Sequence, residues 1–228
     1  MPMTKIKIKR ALNGGRKKRA QKILAELIKL FPNSHIELNY GNNWELLVAV
    51  MLSAQCTDKT VNKVTEKLFK KYTTLDDYAD ADPRIFEKDI HSTGFYKNKT
   101  KNILATAKKL RNDFGGEVPQ TMKDMLTLPG VARKTANIVL AHAYGVVEGI
   151  AVDTHVKRLA QKFGLTSHRN PDKIEKDLMS IFPAKEWSAV NHRFVLYGRY
   201  ICPARKHDCT KHPLTKIYQK ATTIWPRA

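Results

Sequence analysis

Apolar residues recur at three- and four-residue intervals along most of this chain. Ile23, Leu24, Leu27, Ile28 and Phe31 mark an amphipathic helix over 19–31, closed by Pro32. Residues 44–52 are apolar almost throughout, as expected of a helix buried on most sides. Val61, Val64, Leu68 and Phe69 share one face of a helix over 58–72, with lysines on the others. Short helices are predicted at 75–79 and 83–90, then a loop over 91–98 and a helix over 99–114 ended by Gly115-Gly116. Past the middle of the chain the pattern predicts helices at 154–163, 171–181 and 185–200. No segment sustains period-two alternation and no repeat of 20–50 residues is visible, so the fold class is all-α.

The central stretch, 122–155, breaks this rhythm. A short pattern (Met122, Met125, Leu126) stops at Pro129-Gly130 and resumes at Ala132, running through Ile138, Val139 and Leu140. Proline and glycine end one helix and let the next begin almost at once, which gives a helix, a tight hairpin and a helix. Backbone N–H groups at the new helix start, around Gly130, Val131 and Ala132, suit an anion such as a nucleic-acid phosphate. Lys134 falls in that first turn, where the positive end of the helix dipole disfavours a second positive charge. A neutral lysine is a nucleophile and forms a Schiff base. Asp153 opens the helix at 154 and supplies a carboxylate at its N-terminus, although spacing alone does not bring it to Lys134.

Charge narrows the partners. The 228 residues carry 41 Lys+Arg against 21 Asp+Glu, a formal net charge of +20, which favours a polyanion through counterion release. No apolar run approaches the ~20 residues that span a bilayer. Three cysteines, Cys56, Cys202 and Cys209, are too few for a secreted disulfide scaffold and suit a reducing compartment. Without an apolar signal core at the N-terminus, a cytoplasmic location is expected, with a nuclear one not excluded by Arg16 to Arg19. Residues 1–17, basic and containing Gly14-Gly15, read as a solvated mobile arm in preference to a DNA-contacting element. Cys56 reads as a small buried filler, and Asp58 as an N-cap or first-turn acid.

Leu128-Pro129-Gly130-Val131-Ala132-Arg133-Lys134-Thr135-Ala136-Asn137, followed by Val152-Asp153-Thr154-His155, resembles the helix-hairpin-helix and Gly-Pro-Asp signature of the endonuclease III family of DNA glycosylases. Leu52-Ser53-Ala54-Gln55-Cys56-Thr57-Asp58 and Gly94-Phe95-Tyr96-Lys97-Asn98-Lys99 match the same family in order, and the resemblance runs over about 19–209. It implies a six-helix barrel over 36–147 and a second helical domain made of 1–35 and 148–228. It also implies a monomeric bifunctional glycosylase and abasic-site lyase that removes oxidised pyrimidines from double-stranded DNA, with Lys134 as nucleophile and Asp153 as its partner. Gln55 and Phe95 then fill the duplex where the damaged nucleotide leaves, and Arg205 and Lys206 reach a phosphate. In the family the hairpin carbonyls, here Leu126, Leu128 and Val131, hold a monovalent cation. His155 is expected as a structural hydrogen-bonding residue. Two other readings remain: a non-catalytic helix-hairpin-helix module with Lys134 on a phosphate, and a glycosylase without lyase activity.

The C-terminal loop departs from the family. A four-cysteine iron-sulfur motif spaced C-x6-C-x2-C-x5-C retains only Cys202 and Cys209 here, with His212 and Tyr218 in the remaining places. A cubane cluster needs thiolates, so none is expected. Zinc on Cys202, Cys209 and His212, with His207 as an optional further ligand, is the alternative to a loop held only by packing of Ile217, Tyr218 and Trp225.

Overall fold

The computed structural model describes residues 5–33 and 35–226, with side chains from Gly14 onward. Among these residues every regular element is helical. The chain forms two compact units, Ile36–Glu148 and a unit combining Met1–His35 with Gly149–Ala228.

Within Ile36–Glu148, α2 (Asn43–Leu52) is the central element. Every residue from Leu46 to Leu52 is buried, and the helix packs against α3 (Asp58–Lys71), α6 (Tyr96–Asp113) and α8 (Arg133–Tyr144). Short polar side chains set the helix starts: Asn42 accepts from the Glu45 amide, Thr57 from Thr60, and Thr74 forms a capping box with Asp77. Thr74 thereby opens α4 (Leu75–Ala79), while Asp82 and Pro83 open α5 (Pro83–Ile90). Trp44, Tyr72, Tyr78 and Phe86 make an aromatic cluster with centroids 5.1–5.8 Å apart that joins α2 to these short helices. Past α6, α7 (Met122–Met125) leads into the hairpin and α8.

In the other unit, α1 (Lys5–Leu30) places Ala20, Ile23, Leu24 and Leu27 on one face, against α11 (Trp187–Tyr200) and α12 (Pro213–Ile217). α9 (Thr154–Lys162) packs on α10 (Pro171–Met179) and α11, around Phe163, Phe194 and Tyr197. Gly198 allows α9 this close, since a Cβ there would lie 2.4 Å from His155 Nδ1.

Three expectations are corrected. The mobile arm of 1–17 is helical from Lys5, while residues 1–4 lie outside the described residues. Lysine, arginine and leucine are good helix formers, and the cost of about 1 kcal/mol at each of Gly14 and Gly15 does not break the helix. The loop over 91–98 is shorter than expected: a 3-10 turn, His91–Thr93, consumes its start and α6 begins at Tyr96, leaving Gly94-Phe95. Cys56 is half-buried instead of buried, packed on the edge of the core beside α2.

Candidate active site and its surroundings

The hairpin predicted at Pro129-Gly130 is present. Val131 N donates to Leu128 O (3.2 Å), and Gly130 sits at φ 73°. Left-handed backbone alone favours glycine here, and a Cβ would also fall 2.6–2.7 Å from the Asn102 side chain. Thr106 Oγ1 donates to Pro129 O (2.9 Å), tying the hairpin to α6. Helix α8 starts at Arg133, with Ala132 as an N-cap that offers no side-chain acceptor. The first-turn amides therefore face outward without the usual side-chain cap, as an anion site requires. Lys134 is exposed in that turn, which contains no acidic residue.

Gln55 and Phe95 share an unusual property. Among the described residues they alone, glycines aside, have positive φ, 53° and 49°. Left-handed backbone costs a non-glycine residue about 1–2 kcal/mol and persists only where surroundings hold it. Phe95 is nevertheless 66% exposed, so it does not pack into the core. Gln55, Phe95 and Gly130 line one pocket of about 220 Å3, together with Met51, Asn98, Lys99 and Asn102. Sequence segments 40 and 35 residues apart are thus brought to one face.

Lys99 holds the two strained loops, a role the sequence did not reveal. Only 6% exposed, it donates from Nζ to Leu52 O (2.7 Å) at the end of α2 and to Thr93 O (2.8 Å) just before Gly94-Phe95. Burial lowers its pKa below the ordinary lysine value.

In the other unit, Asp153 is the N-cap of α9, and its Oδ1 accepts from Val156 N (2.8 Å). This fixes the carboxylate's direction and leaves its second oxygen for other work. Asn191 Nδ2 donates to Ala151 O (2.7 Å), anchoring the segment that leads into Asp153. His155 lies against Gly198 on α11. Arg205 and Lys206 are exposed at the tip of the C-terminal loop. The loop's root is held by Arg158, buried, whose Nη2 donates to Cys202 O (2.7 Å).

The residues of the zinc alternative come together in part. Cys202, His207 and His212 bring ligand atoms within 4.8 Å of one another, whereas Cys209, buried nearby, is outside this group. Tyr218, in the fourth cysteine's place, faces elsewhere: Arg19 stacks 4.3 Å from its ring and its hydroxyl lies beside Gly164. Trp225 packs edge-on against His207 and under the Lys162 ammonium.

The profile of HhH-GPD superfamily base excision DNA repair proteins matches residues 48–184. An endonuclease III of Synechocystis sp. is 48% identical over 206 residues, 90% of this chain and 94% of its own. A solved non-covalent endonuclease III–DNA complex superimposes with a TM-score of 0.86 at 43% identity, covering 91% of this chain and 97% of that one. A trapped endonuclease III–DNA covalent intermediate gives 0.87 at the same identity and coverage.

Proposed function

We infer that this chain, which belongs to the endonuclease III family of the HhH-GPD base excision DNA repair superfamily, uses Lys134 as its covalent nucleophile. The enzyme is a bifunctional DNA glycosylase and abasic-site lyase acting on damaged double-stranded DNA. The observation that carries the assignment is the placement of Lys134: an exposed amine in the first turn of an uncapped helix, directly after the hairpin whose Gly130 borders the Gln55 and Phe95 pocket.

In the proposed reaction the hairpin amides at Gly130 and Ala132 grip a phosphate, with Arg205 and Lys206 on another; the Val131 amide, expected to join them, instead donates to Leu128 O within the turn. Gln55 and Phe95 occupy the space vacated by the extruded nucleotide. The Lys134 amine forms a bond to C1′ as the bond from C1′ to the base breaks, the base leaving with that electron pair and a proton. The sugar ring opens to an imine on Lys134 Nζ. Loss of a C2′ proton then expels the 3′ phosphate with the C3′–O electron pair, and water releases the enzyme. Asp153, with one oxygen committed to α9, accepts the proton from the attacking amine or stabilises positive charge on the sugar. Leu126, Leu128 and Val131 carbonyls are proposed to hold the monovalent cation that helps neutralise the gripped phosphate. Oxidised or ring-saturated pyrimidines are the proposed substrates, being weakly stacked and cheap to extrude.

Borohydride trapping tests the assignment. Protein mixed with abasic-site duplex and reductant should give a covalent adduct that Lys134→Ala abolishes while duplex binding persists. An adduct that survives Lys134→Ala, or a wild-type protein that binds DNA and never traps, overturns it.

A further inference from the structure

The C-terminal loop does not suit a four-thiolate iron-sulfur cluster. Only Cys202 and Cys209 offer thiols there, and Tyr218 is engaged with Arg19 and Gly164. What the loop assembles is a mixed sulfur and nitrogen donor set. Cys202 is fully buried, and its Sγ, with one nitrogen from each of His207 and His212, forms a group within 4.8 Å. Tetrahedral zinc with bonds of about 2.0–2.3 Å places such donors roughly 3.3–3.6 Å apart, so closure needs a contraction of about 1 Å.

The imidazoles are prepared for a ligand. His207 Nδ1 lies 2.6 Å from Arg205 O and must donate to it, because a carbonyl can only accept. That fixes the tautomer and leaves a lone pair on Nε2, which is buried without a partner. His212 Nδ1 is likewise buried and unpartnered, and the two rings lie with centroids 5.0 Å apart. A histidine oriented through its far nitrogen by a backbone carbonyl is the arrangement that metal-binding histidines adopt.

We propose that Cys202, His207 and His212 bind a single zinc ion, with Cys209 turning in as the fourth ligand. Cys209 is preferred over water on charge. Arg158 and Lys162 are buried against this region, and two thiolates make the zinc site neutral, whereas one would leave it positive beside them. Binding releases the two thiol protons to solvent and involves no redox step. Because His207 directly follows Arg205-Lys206, the ion would fix the tip that presents these cations to phosphate.

The test uses the full chain, purified without chelator or nickel affinity, and does not depend on glycosylase activity. Elemental analysis should find one zinc per chain. Apo protein titrated with Co2+ should show tetrahedral d–d bands and a sulfur-to-cobalt charge-transfer band, a wild-type readout immune to misfolding of any variant. His212→Ala should weaken Co2+ uptake by more than roughly 100-fold, the upper end of what losing an outer partner costs. Absence of both bound zinc and the charge-transfer band overturns the proposal, as does stoichiometric iron with acid-labile sulfide.

Discussion

Replacing Lys99 with methionine separates the clamp from the chemistry. The ammonium makes two hydrogen bonds, to Leu52 O and Thr93 O, across 47 and 6 residues of sequence. Hydrogen bonds to a charged donor are worth about 1.5–3 kcal/mol each, which sets the gross loss at roughly 3–6 kcal/mol. Part of that returns, because the buried ammonium is poorly hydrated in the folded protein. Methionine keeps most of the stem's packing, so the net destabilisation should be about 2–4 kcal/mol. Urea unfolding should show it as a midpoint lowered by about 1 M. The functional consequence is more specific. Without the clamp, the loops that carry Gln55 and Phe95 lose the contact that holds both residues in left-handed conformations. Strand scission at an abasic site in duplex DNA, where these residues must enter the stack, should then fall far more than scission of the same site in a single strand. A variant within about 0.5 kcal/mol of wild type, with an unchanged duplex to single-strand ratio, would refute the clamp.

Three other perturbations follow from the structure. Gly94 (φ 69°, ψ 159°) has open space where a Cβ would go, with nothing within 4 Å, so Gly94→Ala should cost only the penalty of a backbone region reserved for glycine, about 1–3 kcal/mol by calorimetry. Gly130→Ala should cost more, through the 2.6–2.7 Å approach to Asn102, and the excess should shrink in an Asn102→Ala background. Burial lowers the His142 pKa below 6.5. Its folded state binds fewer protons than the unfolded chain as pH falls through 6.5, so that share of stability is present above 6.5 and lost on acidification. The difference between wild type and His142→Gln, measured by urea unfolding across this range, should narrow as pH falls; a constant difference would contradict it.

Most helices were legible because their information is local. The apolar intervals of Ile23, Leu24 and Leu27 and the prolines that open the helices at 83 and 171 sit where the sequence shows them, and Asp58 is the first-turn acid with Thr57 as the cap. The hairpin was legible for the same reason, since Pro129-Gly130 carries its own geometry. The start of α1 was not, because a glycine pair in a basic run weighs against a helix by an amount that the rest of the run can offset. The Arg205 carbonyl that fixes the His207 tautomer is a contact no spacing rule anticipates.

Lys99 shows where local reading ends. It stands between Lys97 and Lys101 in a stretch rich in cations, and residue type alone assigns all of these to solvent. Helical phase gives a first hint, because Lys99 lies four residues before Ile103, on the face of α6 that is buried. A hint of phase still predicts an apolar side chain there. What makes an ammonium tolerable is a pair of carbonyls delivered from elsewhere, one at the C-terminal end of α2, where helix carbonyls lack intrahelical donors, and one at the 3-10 turn. The charge therefore satisfies two backbone acceptors and couples two strained loops in one contact. A neutral side chain could fill the volume but could not hold both ends, which is why the functional loss in Lys99→Met should exceed what its lost stability alone explains.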